Sequence, residues 1–369
     1  MVDRLPVKVL HVVGARPNFM KVAPVMRSMS AREGRFEQRL VHTGQHYDEA
    51  MSQVFFDELG IAAPDDNLEV GSGSHAAQTA EILLRFEPVL QAFRPDWLVV
   101  VGDVNSTMAA TLVASKLGVR TAHVEAGLRS FDRSMPEEIN RLVTDALADM
   151  LLTPSPDADA NLRREGVPES RIRQVGNVMI DTLARNLDRA RERRAPQRLG
   201  VEPRRYVYVT LHRPSNVDAR GSLAAIVDAL VDVSRRAPVV FPVHPRTQER
   251  LADFSLAETL TAGGRVKLID PVGYLDSISL AESASCVLTD SGGLQEETTF
   301  LRVPCLTLRP NTERPITITE GSNRLTTPDR LRDDLAAALT RRSSGEELPC
   351  PALWDGKASE RVADALLER

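Results

Sequence analysis

The sequence predicts an α/β protein with two doubly wound domains, and three observations lead to this fold. Short runs of β-branched residues alternate with amphipathic segments along most of the chain, as in a parallel sheet covered by helices on both faces. The alternation stops in an arginine-rich stretch at 185–205 and then restarts. The chain has 369 residues, and a single hydrophobic core rarely grows beyond about 250–300 residues. We therefore expect two domains facing a central cleft.

In the first half, strands and helices are predicted in regular alternation. Pro136 opens one helix at its first turn, a position where the missing N–H of proline has no cost. The segment 77–93 carries Ile82, Phe86 and Leu90 at helical intervals. The predicted strands are 8–13, 38–42, 97–101, 119–124 and 150–152. The predicted helices are 18–30, 48–59, 77–93, 105–117 and 136–148.

The second half follows the stretch 185–205, which contains eight arginines and few large apolar residues. This composition favours a solvated helix end and linker over a specific anion site. Beyond it, the predicted strands are 206–210, 239–243, 266–269, 286–289 and 305–308. The predicted helices are 222–233, 276–284, 293–300 and 329–339. The two halves share an architecture without a repeated sequence.

Composition argues against several classes of protein. The net charge of −5 and an aromatic content of 4% disfavour a general nucleic-acid binder. No stretch approaches the roughly 20 apolar residues that span a bilayer, and 1–14 lacks the pattern of a secretory signal. Cys286, Cys305 and Cys350 are far apart and odd in number. We therefore expect no membrane insertion, no disulfide framework, no metal site and a cytoplasmic location.

Polar side chains with catalytic potential lie just after predicted strands, at the edge where open parallel sheets bind ligands. Asp103, Glu125 and Glu137 could supply general acid and base groups, and His212 could carry a further proton. A single aspartate after a strand is usually a helix N-cap, and a glutamate at a helix start suits the helix dipole without any catalysis. Several such carboxylates at one edge are harder to explain in that way.

The segment Asp290–Glu297 (DSGGLQEE) gives the most specific phosphate signal. A strand leads through paired glycines directly into a helix, whose N–H groups and dipole attract phosphate. Glu297 could accept hydrogen bonds from a ribose or be an ordinary first-turn glutamate. Dinucleotide-binding and ATP-binding glycine motifs are missing, so the residues predict an enzyme acting on a phosphorylated, nucleotide-linked small molecule. Guanidinium groups that could grip a diphosphate belong to Arg16, Arg213 and Arg314.

Five motifs in order resemble those of one enzyme family. They are Gly14–Pro17 (GARP), His123–Arg129 (HVEAGLR), Pro136–Glu138 (PEE), Asp290–Glu297 (DSGGLQEE) and Thr312–Pro315 (TERP). Together they are similar to the UDP-N-acetylglucosamine 2-epimerase family of the non-hydrolysing type, over nearly the whole chain. The resemblance implies a B-type glycosyltransferase-like fold of two Rossmann-like domains, the last helix returning to the first. The implied domains are 1–172 plus 355–369, with the catalytic carboxylates, and 173–354, which binds UDP.

The resemblance also implies roles for individual residues. The implied catalytic residues are Asp103, Glu125, Glu137 and His212. The expected substrate-binding residues are Arg16, Lys21, Arg213, His244, Ser291, Gly292, Gly293, Glu297 and Arg314. Arg213 is included because its guanidinium could grip a diphosphate. The family eliminates UDP across C1–C2 to give 2-acetamidoglucal and adds it back with the opposite configuration at C2. No cofactor is expected, and the expected assembly is a homodimer.

Some positions depart from the family pattern and leave alternatives open. Pro214 and Ser215 replace the Arg-Glu that follows His-Arg in the best-known members, and Ile316 replaces a common glutamate. Relatives acting on UDP-2,3-diacetamido-2,3-dideoxyglucuronate, and hydrolysing relatives that release N-acetylmannosamine, share the core motifs, so the exact sugar stays open. A UDP-sugar glycosyltransferase is another alternative. It is disfavoured because it would need an acceptor groove in the first domain, which is rich in glutamates. A sensor without turnover is disfavoured because all four acid–base groups are present.

Overall fold

Two all-parallel sheets organise the chain. The structure, a computed structural model, describes residues 5–44, 63–343 and 347–368, apart from the side chains of Arg16 and Ser343. The helix predicted at 48–59 lies outside the described residues. The chain divides into two compact units, Met1–Thr182 with Ala352–Arg369 and Leu183–Pro351.

Unit 1 contains sheet A, in the strand order β3-β2-β1-β4-β5-β6-β7. Its strands are β1 Val7–Val13, β2 Phe36–His42, β3 Asp66–Asn67, β4 Trp97–Val101, β5 Arg120–Val124, β6 Met150–Thr153 and β7 Ile172–Gln174. Numbered among the described residues, its helices are α1 Arg16–Ser30, α2 His75–Phe93, α3 Asn105–Lys116, α4 Pro136–Leu147, α5 Pro156–Arg164 and, near the end of the chain, α16 Ala358–Leu367. Helix α6, Val178–Glu192, runs from unit 1 into unit 2.

Unit 2 contains sheet B, in the strand order β10-β9-β8-β11-β12-β13. Its strands are β8 Val207–Thr210, β9 Val239–Pro242, β10 Val266–Ile269, β11 Cys286–Thr289, β12 Cys305–Leu308 and β13 Asn323–Thr326. Its helices are α7 Ala195–Arg198, α8 Pro214–Val217, α9 Arg220–Ser234, α10 Pro245–Asp253, α11 Ala257–Thr261, α12 Tyr274–Glu282, α13 Gly292–Phe300, α14 Ile316–Thr319 and α15 Leu331–Ser343.

The central strands of both sheets are buried along their whole length. Every residue of β4 and of β11 is buried, as expected for apolar strands that helices cover on both faces. In each sheet the strand order reverses once, between β1 and β4 in sheet A and between β8 and β11 in sheet B. Open α/β sheets bind ligands at such reversals, beyond the carboxyl ends of the strands.

The structure adds elements that the sequence did not predict, both at the sheet edges and among the shorter helices, such as α5 and α10. Strands β3, β7 and β13 were not predicted, because they are two to four residues long and lack an apolar run. Since β7 pairs with β6, the first unit extends past residue 172 to Thr182. The predicted linker is helical as far as Glu192. Among the described residues, no helix combines the length and apolar character needed to cross a membrane.

Candidate active site

The ends of β4 and β5 place Asp103 and Glu125 at one edge of sheet A. Gly102, between β4 and Asp103, has a left-handed φ of 67°. Glu125 also has a left-handed φ, 72°, which is uncommon for a residue with a Cβ and is often found at functional sites. Its buried carboxylate forms an ion pair with Lys21 of α1. A Cβ on Gly102 would lie 2.8 Å from the Lys21 Nζ, so glycine lets this ion pair lie against the turn.

Helix α4 holds Asp103 in place. Arg141 forms an ion pair with the Asp103 carboxylate and a second one with Glu138, at 2.7 Å between Nη2 and Oε2. The Asn140 side chain donates to the carbonyl oxygen of Asp103 at 2.9 Å. Burial opposes ionisation of Glu138, but the Ser130 N–H and Arg141 outweigh it and lower the pKa of that carboxyl. Glu138 therefore fixes the Arg141 guanidinium, which in turn holds Asp103.

Glu137 and Asp103 line a small cavity in unit 1. Glu137 is half-buried in the first turn of α4. The cavity volume is about 240 Å³, below the roughly 300–1,000 Å³ of pockets that enclose a whole small molecule. On this unit the cavity therefore suits one part of a ligand. The other residues lining it include His75, Gln78, Asn105 and Asn140.

A second network holds the turn before Asp103 from inside unit 1. The His123 ring lies 2.8 Å from the Gly102 carbonyl oxygen through Nε2 and 2.6 Å from Asp145 through Nδ1. Asp145 also pairs with Arg129 at 2.7 Å. Burial opposes ionisation of Asp145, yet His123 and Arg129 lower the pKa of its carboxyl. His123 and Arg129 of the HVEAGLR motif therefore brace the turn from the interior.

In unit 2, Asp290 orients His212 at the strand-order reversal of sheet B. Strands β8 and β11 are neighbours, so the residues that follow them meet. The buried Asp290 carboxylate lies 2.8 Å from the His212 Nδ1. It also accepts the backbone N–H groups of His212 and Arg213 at 3.0 and 2.8 Å, and the Asn216 amide at 3.0 Å. Burial opposes ionisation, but these donors lower the pKa of Asp290. The His212 Nε2 is left to exchange a proton with a ligand.

His244 lies beside His212. The two ring centroids are 5.7 Å apart. His244 caps α10, where its Nδ1 accepts the Arg246 N–H at 3.3 Å. Desolvation of the ring and then the charge of His212 lower the pKa of His244. A neutral His244 keeps Nε2 available for a ligand, since Nδ1 is used by the cap.

The phosphate turn leads from β11 into α13, and an ion-pair cluster supports it. Arg314 lies 2.9 Å from Glu296 through Nε and 2.5 Å from Glu313 through Nη1. A Cβ on Gly292 would lie 3.0 Å from the Arg314 Nη1 and 3.1 Å from the Glu313 Oε1. The first glycine of the pair thus makes room for the arginine as well as for a ligand. Ser291 begins the turn, its N–H donating to the Thr289 hydroxyl at 3.0 Å.

Glu297 lies on α13, one turn beyond the glycines, and is buried. Burial and the neighbouring charge of Glu296 raise the pKa of Glu297 to about 8. At neutral pH this carboxyl therefore holds its proton and can both donate and accept a hydrogen bond. A ribose, with paired hydroxyls, needs both functions.

The structure groups the predicted residues by unit. Those at the carboxyl edge of sheet A are Lys21, Asp103, Glu125 and Glu137. Those at the carboxyl edge of sheet B, in the loops beside it or on helix α13 are His212, Arg213, His244, Ser291, Gly292, Gly293, Glu297 and Arg314. The backbone of Arg16 begins α1, and its side chain lies outside the described residues.

Sequence reasoning missed several residues of these networks, namely Arg141, Asn140, Asp145 and Asn216, and it missed the role of Asp290. Arg141 follows Glu137 by four positions on one helix, and this spacing places both on the same face. Asp290 was noted only as part of the phosphate motif. Its contact with His212, which lies 78 positions earlier in the chain, depends on the pairing of β8 with β11. The sequence pattern does not specify this pairing. In the described part of the chain, no group of three or more His, Cys, Asp or Glu side chains is arranged to hold a metal ion.

Comparison with known proteins identifies the family. A family model for UDP-N-acetylglucosamine 2-epimerase matches residues 28–367. The chain belongs to this family. The UDP-N-acetylglucosamine 2-epimerase of Methanocaldococcus jannaschii is 40% identical over 366 residues, covering 97% of this chain and 98% of that protein. The UDP-2,3-diacetamido-2,3-dideoxy-D-glucuronate 2-epimerase of Pseudomonas aeruginosa is also 40% identical, covering 97% of this chain and 99% of that protein.

Solved structures agree with the family assignment. The crystal structure of the M. jannaschii 2-epimerase in complex with UDP-GlcNAc and UDP has a TM-score of 0.85 and covers 98% of this chain and 100% of that one. The glycotransferase of kitacinnamycin, only 16% identical with a TM-score of 0.59 over 99% of each chain, shares the fold alone. The predicted fold class, two doubly wound domains of the B-type glycosyltransferase kind, is confirmed. So is the predicted enzyme class, an epimerase and therefore an isomerase.

Proposed function

We propose that the protein interconverts UDP-N-acetylglucosamine and UDP-N-acetylmannosamine by inverting C2. The observation that carries this proposal is the pair of carboxylates at the carboxyl edge of sheet A. There Asp103 and Glu125 are each paired with a buried cation, Arg141 and Lys21. Such carboxylates can take and return protons at defined positions. Unit 2 contains a phosphate turn and a histidine that a carboxylate orients. In this proposal the turn stabilises the departing diphosphate and the histidine transfers a proton.

The chemistry explains why acid–base groups and a phosphate turn are needed together. The C2 hydrogen has no adjacent carbonyl, so its direct removal and return is unfavourable. In the proposed route a base takes the C2 proton as the C1–O bond breaks. UDP leaves with the bonding electrons and 2-acetamidoglucal forms. UDP oxygen then adds back to C1 while a proton enters C2 from the opposite face. The departing diphosphate needs charge stabilisation, and the two proton steps need separate groups.

The residues divide these tasks. Asp103, Glu125, Glu137 and His212 are proposed to be catalytic, as proton donors and acceptors. The phosphate turn, from Ser291 to Gly293, is proposed to hold the diphosphate through N–H groups at the start of α13. Glu297 is proposed to bind the ribose. The other substrate-binding residues are proposed to be Arg16, Lys21, Arg213, His244 and Arg314.

The test is incubation with UDP-N-acetylglucosamine in heavy water, followed by NMR. The proposal expects UDP-N-acetylmannosamine with deuterium at C2, because the returning proton comes from an exchangeable group. Glu125→Gln and Glu137→Gln should bind UDP nearly as well and turn over about 10²–10⁴-fold more slowly. Inversion at C2 with retention of the original hydrogen would exclude the elimination route. Release of free N-acetylmannosamine would indicate a hydrolysing enzyme.

A second candidate substrate is UDP-2,3-diacetamido-2,3-dideoxyglucuronate. The P. aeruginosa relative named for that sugar is 40% identical over 364 residues, the same identity as the M. jannaschii enzyme. The chemistry at C1 and C2 is unchanged, so the site residues keep their roles. Comparing kcat/KM for the two UDP-sugars decides between them.

We further propose that the protein acts in the cytoplasm as a homodimer. The three cysteines are free thiols, and Cys286 and Cys305 are buried, which suits a reducing compartment. Analytical ultracentrifugation of the intact chain tests the dimer, since a monomer at micromolar concentration would contradict it.

A further inference from the structure

Four arginines surround a groove at the amino-terminal edge of sheet B. Arg204 and Arg205 precede β8, Arg236 precedes β9 and Arg265 precedes β10. The groove has a volume of about 720 Å³. It lies at the opposite ends of the strands from His212, which follows the carboxyl end of β8. The groove is therefore separate from the phosphate turn of the same unit.

The positive charge in the groove is largely uncompensated. Among the described residues, no carboxylate lies within ion-pair distance of the side chains of Arg204, Arg236 or Arg265. Arg205 lies 3.4 Å from Glu202, with both side chains about three-quarters exposed, and such pairs contribute little. Burial, together with the charge of Arg204, lowers the pKa of the nearby Arg342.

Other arginines of the 185–205 stretch have their charge compensated by a carboxylate. Arg191 pairs with Glu282 at 2.6 Å, and Arg198 pairs with Asp276 at 2.7 Å. Both pairs attach the start of unit 2 to α12. The stretch thus divides into arginines that hold structure and arginines that line the groove. Arg204 is exposed, as the sequence interpretation of a solvated linker expects, and it also lines the groove.

The backbone at Arg204 is fixed in an uncommon conformation. Its φ is 62°, in the left-handed region that side-chain-bearing residues rarely adopt and that occurs often at ligand sites. The Arg204 N–H donates to the Ser283 carbonyl at 2.6 Å, and the Ser285 hydroxyl donates to the Arg204 carbonyl at 2.5 Å. Val201 and Ala237 also line the groove, and because both are buried they form its apolar floor.

We propose that this groove binds a soluble metabolite that carries a di- or triphosphate group. Four guanidinium groups exceed the need of a single phosphate and match the oxygens of a polyphosphate. The volume is typical of pockets that enclose a whole small molecule, and the apolar floor suits an organic body attached to the phosphates. The positive charge is gathered in one concave groove of a chain whose net charge is −5. A compact polyanion therefore fits better than an extended anionic membrane surface.

The test uses inorganic tripolyphosphate as the probe and the full chain with saturating UDP, so that the phosphate turn is occupied. Isothermal titration calorimetry should show one saturable tripolyphosphate site per chain. The double variant Arg236→Ala with Arg265→Ala should weaken this affinity by about tenfold or more for each arginine, the scale of a lost charged hydrogen bond. Both side chains are exposed, and neither residue has the left-handed φ of Arg204, so thermal unfolding should change little.

The control is Arg332→Ala on α15, which removes one charge from an exposed side chain outside the groove and is compared with Arg236→Ala alone. It should leave tripolyphosphate affinity unchanged. Equal weakening by the control would reduce the effect to net charge and overturn the proposal, as would the absence of saturable binding. Vesicles of anionic phospholipid form a second arm. Vesicle binding that needs Arg236 and Arg265, without tripolyphosphate binding, would assign the groove to a membrane surface instead. UDP binding is titrated separately, so that failure of the proposed function can be distinguished from failure of the groove proposal.

Discussion

The Asp290 carboxylate selects one tautomer of His212. Since Asp290 faces Nδ1, that nitrogen carries the hydrogen and Nε2 exchanges the catalytic proton. Asp290→Asn should lower kcat by about 10²–10⁴, the range seen when a catalytic histidine loses its orienting carboxylate or its proton transfer. UDP affinity should fall much less. Steady-state kinetics and a separate UDP titration measure the two effects.

A double variant separates positioning from mere loss of structure. If Asp290 acts through His212, then Asp290→Asn combined with His212→Gln should be no slower than His212→Gln alone. Multiplicative losses would assign the aspartate an independent role. Near-normal turnover of Asp290→Asn would remove the dyad from the mechanism.

Glu297 makes stability depend on pH in an unusual direction. Its pKa is raised from 4.5 to about 8 in the folded protein, so between these values the folded state holds a proton that the unfolded state has lost. The free energy of unfolding should therefore fall as pH rises through this window, by at most about 1.4 kcal/mol per pH unit. Glu297→Gln cannot lose a proton and should gain stability relative to the wild type from pH 5 to pH 8.

Urea unfolding of the ligand-free protein at several pH values measures this difference. The control is Glu320→Gln, at an exposed position, which should shift stability equally at every pH. A constant difference between Glu297→Gln and the wild type would contradict the raised pKa.

At the scale of elements, the turn after β4 depends on Gly102. It has a φ of 67°, and a Cβ there would lie 2.8 Å from the Lys21 Nζ and 3.5 Å from a Glu125 carboxylate oxygen. Gly102→Ala should therefore displace the Lys21–Glu125 ion pair and lower kcat by about tenfold or more, since small misplacements of reacting groups are costly. UDP affinity should be kept, because the phosphate turn belongs to another sheet.

Gly118 provides a matched control. It has a similar φ of 70°, and nothing lies within 4 Å of its would-be Cβ. Gly118→Ala should have the same backbone cost, about 1–2 kcal/mol of stability, without changing kcat. Equal kinetic losses in the two variants would show that backbone strain alone, and not the ion pair, explains the effect.

The alternation of apolar runs predicted the central strands because burial on both faces requires them to be apolar. Edge strands such as β13 (Asn323–Thr326) are not under this requirement, and sequence reasoning missed them. The strand-end rule placed Asp103 and His212 at the edges of their sheets. Ion pairs such as Arg141 with Asp103 depend on how α4 packs, which periodicity does not determine. Site roles remain predictions, whereas the family motifs predicted the family correctly.

At the scale of the whole molecule, the end of the chain belongs to unit 1, although unit 2 precedes it directly. The Asp181 carboxylate accepts the N–H groups of Ala358 and Ser359 at 3.0 and 2.6 Å and so caps α16. Within unit 1, Leu366 is 1% exposed and packs in the core that contains Val9 and Val99. The stability of β1 should therefore depend on a residue more than 350 positions later in the chain.

Leu366→Ala should destabilise the region around sheet A by about 2–5 kcal/mol, the usual cost of a cavity at a buried leucine. Its counterpart is Leu335→Ala on α15, where Leu335 is 0% exposed in the core around sheet B. Hydrogen exchange measured by mass spectrometry should become faster in β1 and β4 for the first variant and in β8 and β11 for the second. Local destabilisation raises exchange first in the structure that loses its packing. If Leu366→Ala instead affected sheet B most, the closing helix would not stabilise unit 1 in the way that its packing indicates.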